Sequence, residues 1–335
     1  MSAVDQQSEL RYVPAAGIRQ IISENRAAIV NLVADTYLAF YAGECLSPDT
    51  YSLTFPQKPG CRINALPAYV GRDVDRIGIK WVGSFPQNSA RGLQRASAVI
   101  VLNSFDTGYP VAVLDGALIS AARTAASAAL GARLLRRNRR ADVLRMFGAG
   151  VINRTIVEFL MADDWAFGRI SIVDPDPMAA ESLRRHIARQ GAAGAVFVDG
   201  AADGPADMLC FATSELTPWY DAGIGDDQVV LHISLRDIVP DRLRGVRNVV
   251  DNIDNALKAN TSLHLLERRI GRTFSLVNYG DLMNADRHTA DEGGVVAPFG
   301  MGMLDVALAD FVLKAAELNG LVRELPGFLS ETSRI

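Results

Sequence analysis

Several absences narrow what this 335-residue sequence can be. No uninterrupted apolar run approaches the roughly 18 residues of a bilayer-spanning helix. The opening MSAVDQQSEL is polar and acidic, so neither a membrane span nor a secretory leader is expected, and the protein reads as cytoplasmic. Cysteine is scarce: Cys45, Cys61 and Cys210 share no metal-type spacing and cannot all pair, which makes reduced thiols the simplest expectation. His186, His232, His264 and His288 are dispersed without ligand spacing; each reads as structural and no metal is implied. A basic excess is missing too. With 34 Lys and Arg against 38 Asp and Glu, the formal net charge of −4 offers no stripe for nucleic acid. The one basic cluster, RLLRRNRR from Arg133, reads as a solvated helix end.

What is present suits a folded protein of two domains, with 49% hydrophobic residues against 21% charged. Apolar residues from Pro14 to Gly43 recur at helical spacing and predict two packed helices. Residues 50–115 alternate in short runs (TYSLTF, RINALPAYV, RIGIKWVGSF, SAVIVLN, PVAVLDG) separated by Pro, Gly and Asn, which predicts a mostly antiparallel sheet. An alanine-rich helix from Ala117 to Leu135 then leads into strands alternating with helices: a helix over 178–190, strands at AVFV, DMLCFAT, VVLHIS and 247–251, and a helix in DNALKANTSLHLLERRI. Such alternation specifies a parallel, doubly wound sheet. The stretch GMLDVALADFVLKAAELNG, 302–320, predicts an amphipathic helix that returns to pack on the first domain.

The stretch 143–174 carries the most chemistry. VLRMF runs into GAGVIN, a helix-period segment follows, and RISIVD ends at Asp174. Gly148 permits a tight strand-to-helix turn, and Gly150 lets backbone approach a pyrophosphate closely. Val151, Ile152 and Asn153 open a helix whose N–H groups face the anion. Asp174 stands where a carboxylate would accept ribose hydroxyls, and no arginine follows in PDPMAA, so NAD is expected over NADP. A glycine is missing at the third position of the pattern, where Asn153 stands.

Together with that turn, RTAASAALGARLL from Arg123, GIKWVGSFPQN around Lys80 and NSFDTGYPVAVLDG give the chain a resemblance to the ornithine cyclodeaminase/μ-crystallin superfamily. IKWVGSFPQN, RASAVIVLN and HISLRD most resemble its 2,3-diaminopropionate branch. The resemblance implies a Rossmann NAD-binding domain at 123–300 and an α+β open-sheet substrate-binding and dimerisation domain at 1–122 and 301–335. It implies a homodimer that oxidises N-(2-amino-2-carboxyethyl)-L-glutamate with NAD and releases 2-oxoglutarate and L-2,3-diaminopropionate. A siderophore or peptide-antibiotic pathway, supplied by a pyridoxal-phosphate-dependent synthase, is the implied setting. A cyclodeaminase or imine reductase, and a μ-crystallin-like binding protein, are the alternatives.

Oxidising a secondary amine needs a hydride acceptor, a group that takes a proton, and cations for the substrate carboxylates. By resemblance Lys80 contacts a carboxylate near the reacting centre, Arg123 clamps a carboxylate and Thr124 lies near the cofactor phosphate. Arg95 replaces a threonine of the cyclodeaminases, an extra cation for an extra carboxylate. Asp237, after the strand expected to face nicotinamide, is the expected proton-handling acid, with Arg236 a further clamp. Thr213 and Gly300, the latter in the PFGMG turn, are expected beside the cofactor.

Overall fold

Period-two alternation in the first third of the chain and buried βα repeats in the middle fold into separate sheets. A computed structural model of the chain describes residues 9–191, 195–198, 204–284 and 292–329. It divides into two compact units. One holds the chain up to Asn25, Leu38–Arg123 and the chain from Met301; the other holds Arg26–Tyr37 and Thr124–Gly300. Residues 26–37, expected in the first domain, therefore cluster with the second unit. There Arg26 pairs with Glu158 at 2.8 Å and Tyr37 stacks on Tyr279 with centroids 4.7 Å apart.

The sheet of the first unit runs Arg323–Leu325, Leu10–Tyr12, Pro110–Asp115, Ala96–Ser104, Arg76–Ser84, Arg62–Val70 and Cys45–Leu46, with Tyr51–Thr54 also paired to Arg62–Val70. Every neighbour is antiparallel except Leu10–Tyr12 on Pro110–Asp115. The expected antiparallel core is there. Leu10–Tyr12 and Arg323–Leu325 are additions, since three-residue strands are too short to show alternation. The helix Gly302–Leu318 packs on strands Arg62–Val70 and Arg76–Ser84 and on the helix Ala15–Glu24. It is not the amphipathic helix expected, because residues 302–310 are all buried. A helix covered on most sides keeps apolar residues all round, and its two aspartates, Asp305 and Asp310, are paired.

The sheet of the second unit is wholly parallel among the described residues. Its order is Ala195–Val198, Ala166–Val173, Arg140–Phe147, Met208–Phe211, Val229–His232, Gly294–Val296, Asn248–Val250, Leu276–Asn278. Met208–Phe211 and Val229–His232 are buried at every position, as strands covered on both faces must be. Strands following Arg140–Phe147 first go to one side, through Ala166–Val173, and then to the other, through Met208–Phe211. That reversal is the topological switch point of a doubly wound sheet, where ligands bind. The helix expected over DNALKANTSLHLLERRI breaks into Ile253–Ala256 and Ser262–Ile270. Ala259 and Asn260 take left-handed backbone, and Thr261 caps the second piece by accepting the His264 N–H. The three cysteines are free and buried. His288 lies outside the described residues. Among the described residues no helix is long and apolar enough to cross a membrane.

Candidate functional site

The turn after Arg140–Phe147 sits at the switch point. Gly148 has φ +93°, and a Cβ there would lie 2.5 Å from the Ala212 carbonyl oxygen, so only glycine fits. Gly150 is different. It caps the helix Val151–Ala162 in extended conformation, and a Cβ on it would meet nothing within 4 Å. No side chain caps this helix, so the first amides, from Val151 onward, lack intrahelical acceptors and carry the positive end of the dipole. Val151 leaves 54% of its surface exposed there, unusual for an apolar residue beside a buried strand.

Asp174 flanks this turn, accepting the Ala149 N–H at 2.6 Å and the Asp176 N–H at 2.8 Å. A carboxylate has about four lone-pair positions, so two amides leave it capacity for hydroxyl donors. The side chain of Asn153 faces inward. Its Nδ2 donates to the carbonyls of Phe147 at 2.8 Å and Gly148 at 2.6 Å, and its Oδ1 accepts from the Cys210 thiol at 3.0 Å. That side chain locks the turn, which accounts for an amide where the pattern has glycine, while the Asn153 backbone N–H points from the first turn of the helix.

Asp237 is fully buried in the loop after Val229–His232. Its carboxylate accepts from the hydroxyls of Thr213 and Ser234 and from Trp219 Nε1 at 3.3 Å, and its own N–H donates to His232 Nε2 at 3.1 Å. Burial works to raise its pKa; the neighbouring His232 and the hydroxyls of Ser234 and Thr213 outweigh it and lower the carboxyl to about 2. These bonds make Asp237 an anchor of its loop. The Thr213 hydroxyl donates to Asp237 and accepts the Glu215 N–H at 3.2 Å. Arg236 donates to the Ala259 carbonyl at 2.8 Å, a tie to the backbone. Gly300 lies in a turn fixed by buried Asp251, which accepts the Phe299 and Gly300 amides at 2.9 and 2.6 Å. Sequence reading passed over Asp251; an acid directly after an apolar strand, in VVDN, was the available signal.

In the first unit, Lys80 pairs across the sheet with Leu66 and Ile100 and is 2% exposed. Its Nζ donates to Asp305 Oδ2 at 2.6 Å and to Ser120 Oγ at 3.0 Å. Arg123 donates through Nε to Asp305 Oδ1 at 3.2 Å and through Nη2 to Ser120 at 3.4 Å. Two cations thus share one buried carboxylate, leaving a net positive charge. Burial, and then the charge of Arg123, lower the Lys80 pKa to about 8, with Asp305 opposing. Asp305 and Ser120 escaped sequence reading, although an aspartate inside GMLDVALAD was a visible anomaly. Thr124 follows Arg123 on the helix Gly116–Leu135 and is half-buried. Arg95 is half-buried as well, its pKa lowered by burial and by Arg62.

The chain is 27% identical to the N-((2S)-2-amino-2-carboxyethyl)-L-glutamate dehydrogenase of Staphylococcus aureus, across 78% of this chain and 80% of that one. Among solved structures, the Thermococcus litoralis Delta(1)-pyrroline-2-carboxylate reductase in complex with NADH and L-proline superposes with a TM-score of 0.86 at 19% identity, covering 94% of this chain and all of the other. An archaeal alanine dehydrogenase dimer with bound NAD gives 0.81 at 21% identity, covering 96% and 100%. These superpositions establish the fold: a doubly wound parallel sheet joined in one chain to an open, largely antiparallel one. A profile of the ornithine cyclodeaminase/mu-crystallin family matches residues 20–215, more than half of the sequence, and the chain belongs to that family.

Proposed function

We propose that the protein is an NAD-dependent amino-acid dehydrogenase that oxidises the secondary amine of N-(2-amino-2-carboxyethyl)-L-glutamate. The resulting imine is hydrolysed to 2-oxoglutarate and L-2,3-diaminopropionate. The observation that carries this reading is the buried Lys80–Asp305–Arg123 cluster, which keeps a permanent cation beside a lysine whose pKa is about 8. The similarity to the staphylococcal dehydrogenase over most of both chains supports the choice of substrate.

The Gly148–Asn153 turn fits a dinucleotide because Gly150 leaves open space in front of uncapped amides and Asp174 stands beside them. In this assignment the amides of Val151, Ile152 and Asn153 hold the pyrophosphate, Asp174 takes the ribose hydroxyls, and Thr124 and Gly300 complete the site. NAD, when bound, supplies the hydride acceptor. Arg123 holds a substrate carboxylate with a charge that does not titrate near neutrality. Lys80, partly neutral near pH 8, takes the proton from the substrate amine, so that its nitrogen lone pair can form the C=N bond as hydride leaves carbon. The same lysine, now protonated, can protonate the departing amine when water adds to the imine. Arg95 is assigned to a further carboxylate. The open face of the antiparallel sheet is assigned to a homodimer interface, on the support of exposed Tyr51 and Trp81.

Mixing the protein with the glutamate adduct and NAD tests the reading. NADH absorbance and 2-oxoglutarate should appear together. If neither appears, the substrate assignment is lost; proline and ammonia formed from ornithine would select a cyclodeaminase instead.

A further inference from the structure

From Thr50 to Arg72, and again from Arg76 to Phe105, the sequence contains no aspartate or glutamate, although Lys58, Arg62, Lys80, Arg91 and Arg95 all fall within these stretches. Counter-charges therefore come from elsewhere. Asp305 serves Lys80 and Asp310 serves Arg76. Arg62 and Arg95 have no ion pair among the described residues. Both are half-buried, and they are near enough for the charge of Arg62 to act on Arg95.

Arg62 lines an open groove of about 360 Å³ together with Phe55, Pro56 and Pro59. Phe85 connects its surroundings: its ring lies 5.9 Å from Lys58 Nζ, and its N–H donates to the Arg95 carbonyl at 2.9 Å. Two neighbouring guanidinium groups, partly withdrawn from water without a carboxylate, are disfavoured until an anion arrives. A carboxylate is the anion a guanidinium can grip with two parallel hydrogen bonds.

Register relates this pair to the Lys80 cluster. Leu66 stands opposite Lys80, and Arg62 stands opposite Ser84. Four residues is an even step, so Arg62 lies on the same sheet face as Leu66 and Lys80, roughly 14 Å along the strand at about 3.4 Å per residue. A side chain as long as arginine can shorten that gap towards the span of a ligand with two carboxylates several bonds apart. A monocarboxylate cannot reach both ends.

We infer that Arg62, together with Arg95, forms a second anion subsite that selects amino acids carrying a carboxylate remote from the one held at Lys80 and Arg123. This narrows the function proposed above and rests on it for the identity of the substrate. Arg62→Gln should raise KM for the glutamate adduct roughly ten- to a hundredfold, the effect of losing a charge-assisted pair, with kcat within about twofold and NAD affinity unchanged. Arg62→Lys should recover part of the loss, and Arg95→Gln should reproduce it from the other side. A calorimetric titration of the NAD-loaded full chain with glutarate gives a readout independent of turnover, with acetate as the monocarboxylate control. Wild type should bind glutarate at least tenfold more tightly than Arg62→Gln does, while acetate separates the two little. If no adduct is turned over but glutarate binding falls in Arg62→Gln, the substrate assignment fails and the subsite stands. Equal KM and equal glutarate affinity in Arg62→Gln, Arg95→Gln and wild type would overturn the subsite.

Discussion

Asp305 determines what Lys80 and Arg123 can do, because one buried carboxylate cannot neutralise both. Removing it as Asp305→Asn would leave two largely buried cations facing each other, and breaking a buried ionic cluster in this way costs about 3–5 kcal/mol. Urea unfolding should show that loss. Lys80, held at about 8 against an ordinary value of 10.5, deprotonates within an accessible pH range. The rate of amine oxidation should therefore climb between about pH 7 and 9. Lys80→Arg, which cannot deprotonate, should give a low and flat profile; a rising limb in that variant would remove Lys80 from the proton transfer. Linkage has the matching sign: the unfolded chain holds this proton more firmly, so the lysine's contribution to stability grows as pH rises from about 8 towards 10.5. Asp237 behaves oppositely. Its folded pKa is depressed to about 2, so its contribution is complete above the ordinary carboxylate value of 3.8 and is lost as pH falls through about 2. Asp237→Asn should cost on the order of 2 kcal/mol of stability at neutral pH. A collapse of kcat with unchanged unfolding would instead place Asp237 in the chemistry.

The βαβ element separates folding from binding at two glycines. Gly148→Ala should destabilise the protein, since φ +93° and a carbonyl oxygen 2.5 Å away leave no place for a methyl group. Gly150→Ala should melt close to wild type, its Cβ meeting no protein atom within 4 Å, yet bind NAD at least tenfold more weakly because the methyl occupies the space in front of the helix. Thermal unfolding and calorimetry on both variants check the pair; wild-type NAD affinity in Gly150→Ala would contradict the pyrophosphate assignment. This element was legible because its logic is local, a strand, a turn and a helix within 32 consecutive residues, 143–174. The role of Asn153 was not, since it depends on Cys210, 57 residues away. Nor was Asp305, whose value lies in a partner 225 residues distant. The helix Gly302–Leu318 looked amphipathic because its aspartates resembled a solvent face; only the sheet packed against it turns them into buried partners of Lys80 and Arg76.

At the scale of the whole molecule, the alternation of the first sheet leaves opposite faces with different work. The face of Lys80 and Leu66 is buried under the helix Gly302–Leu318. On the other face Tyr51, Ala65, Trp81 and Val99 stand opposite one another on four successive strands, with Leu53 opposite Ile63 and Gly83 in the next row. Tyr51 is 79% exposed, Leu53 52% and Trp81 42%, an apolar band that a monomer rarely leaves to water. A second copy related by a two-fold axis would cover it with the same band, as isologous dimers do. Sedimentation equilibrium should then find a dimer. Tyr51→Lys combined with Leu53→Lys should shift it towards monomer, because like charges would face their own copies across the axis, while NAD affinity, set by the other sheet, stays within about twofold. A monomeric wild type, or a double variant as dimeric as its parent, would mean that this band serves some other contact.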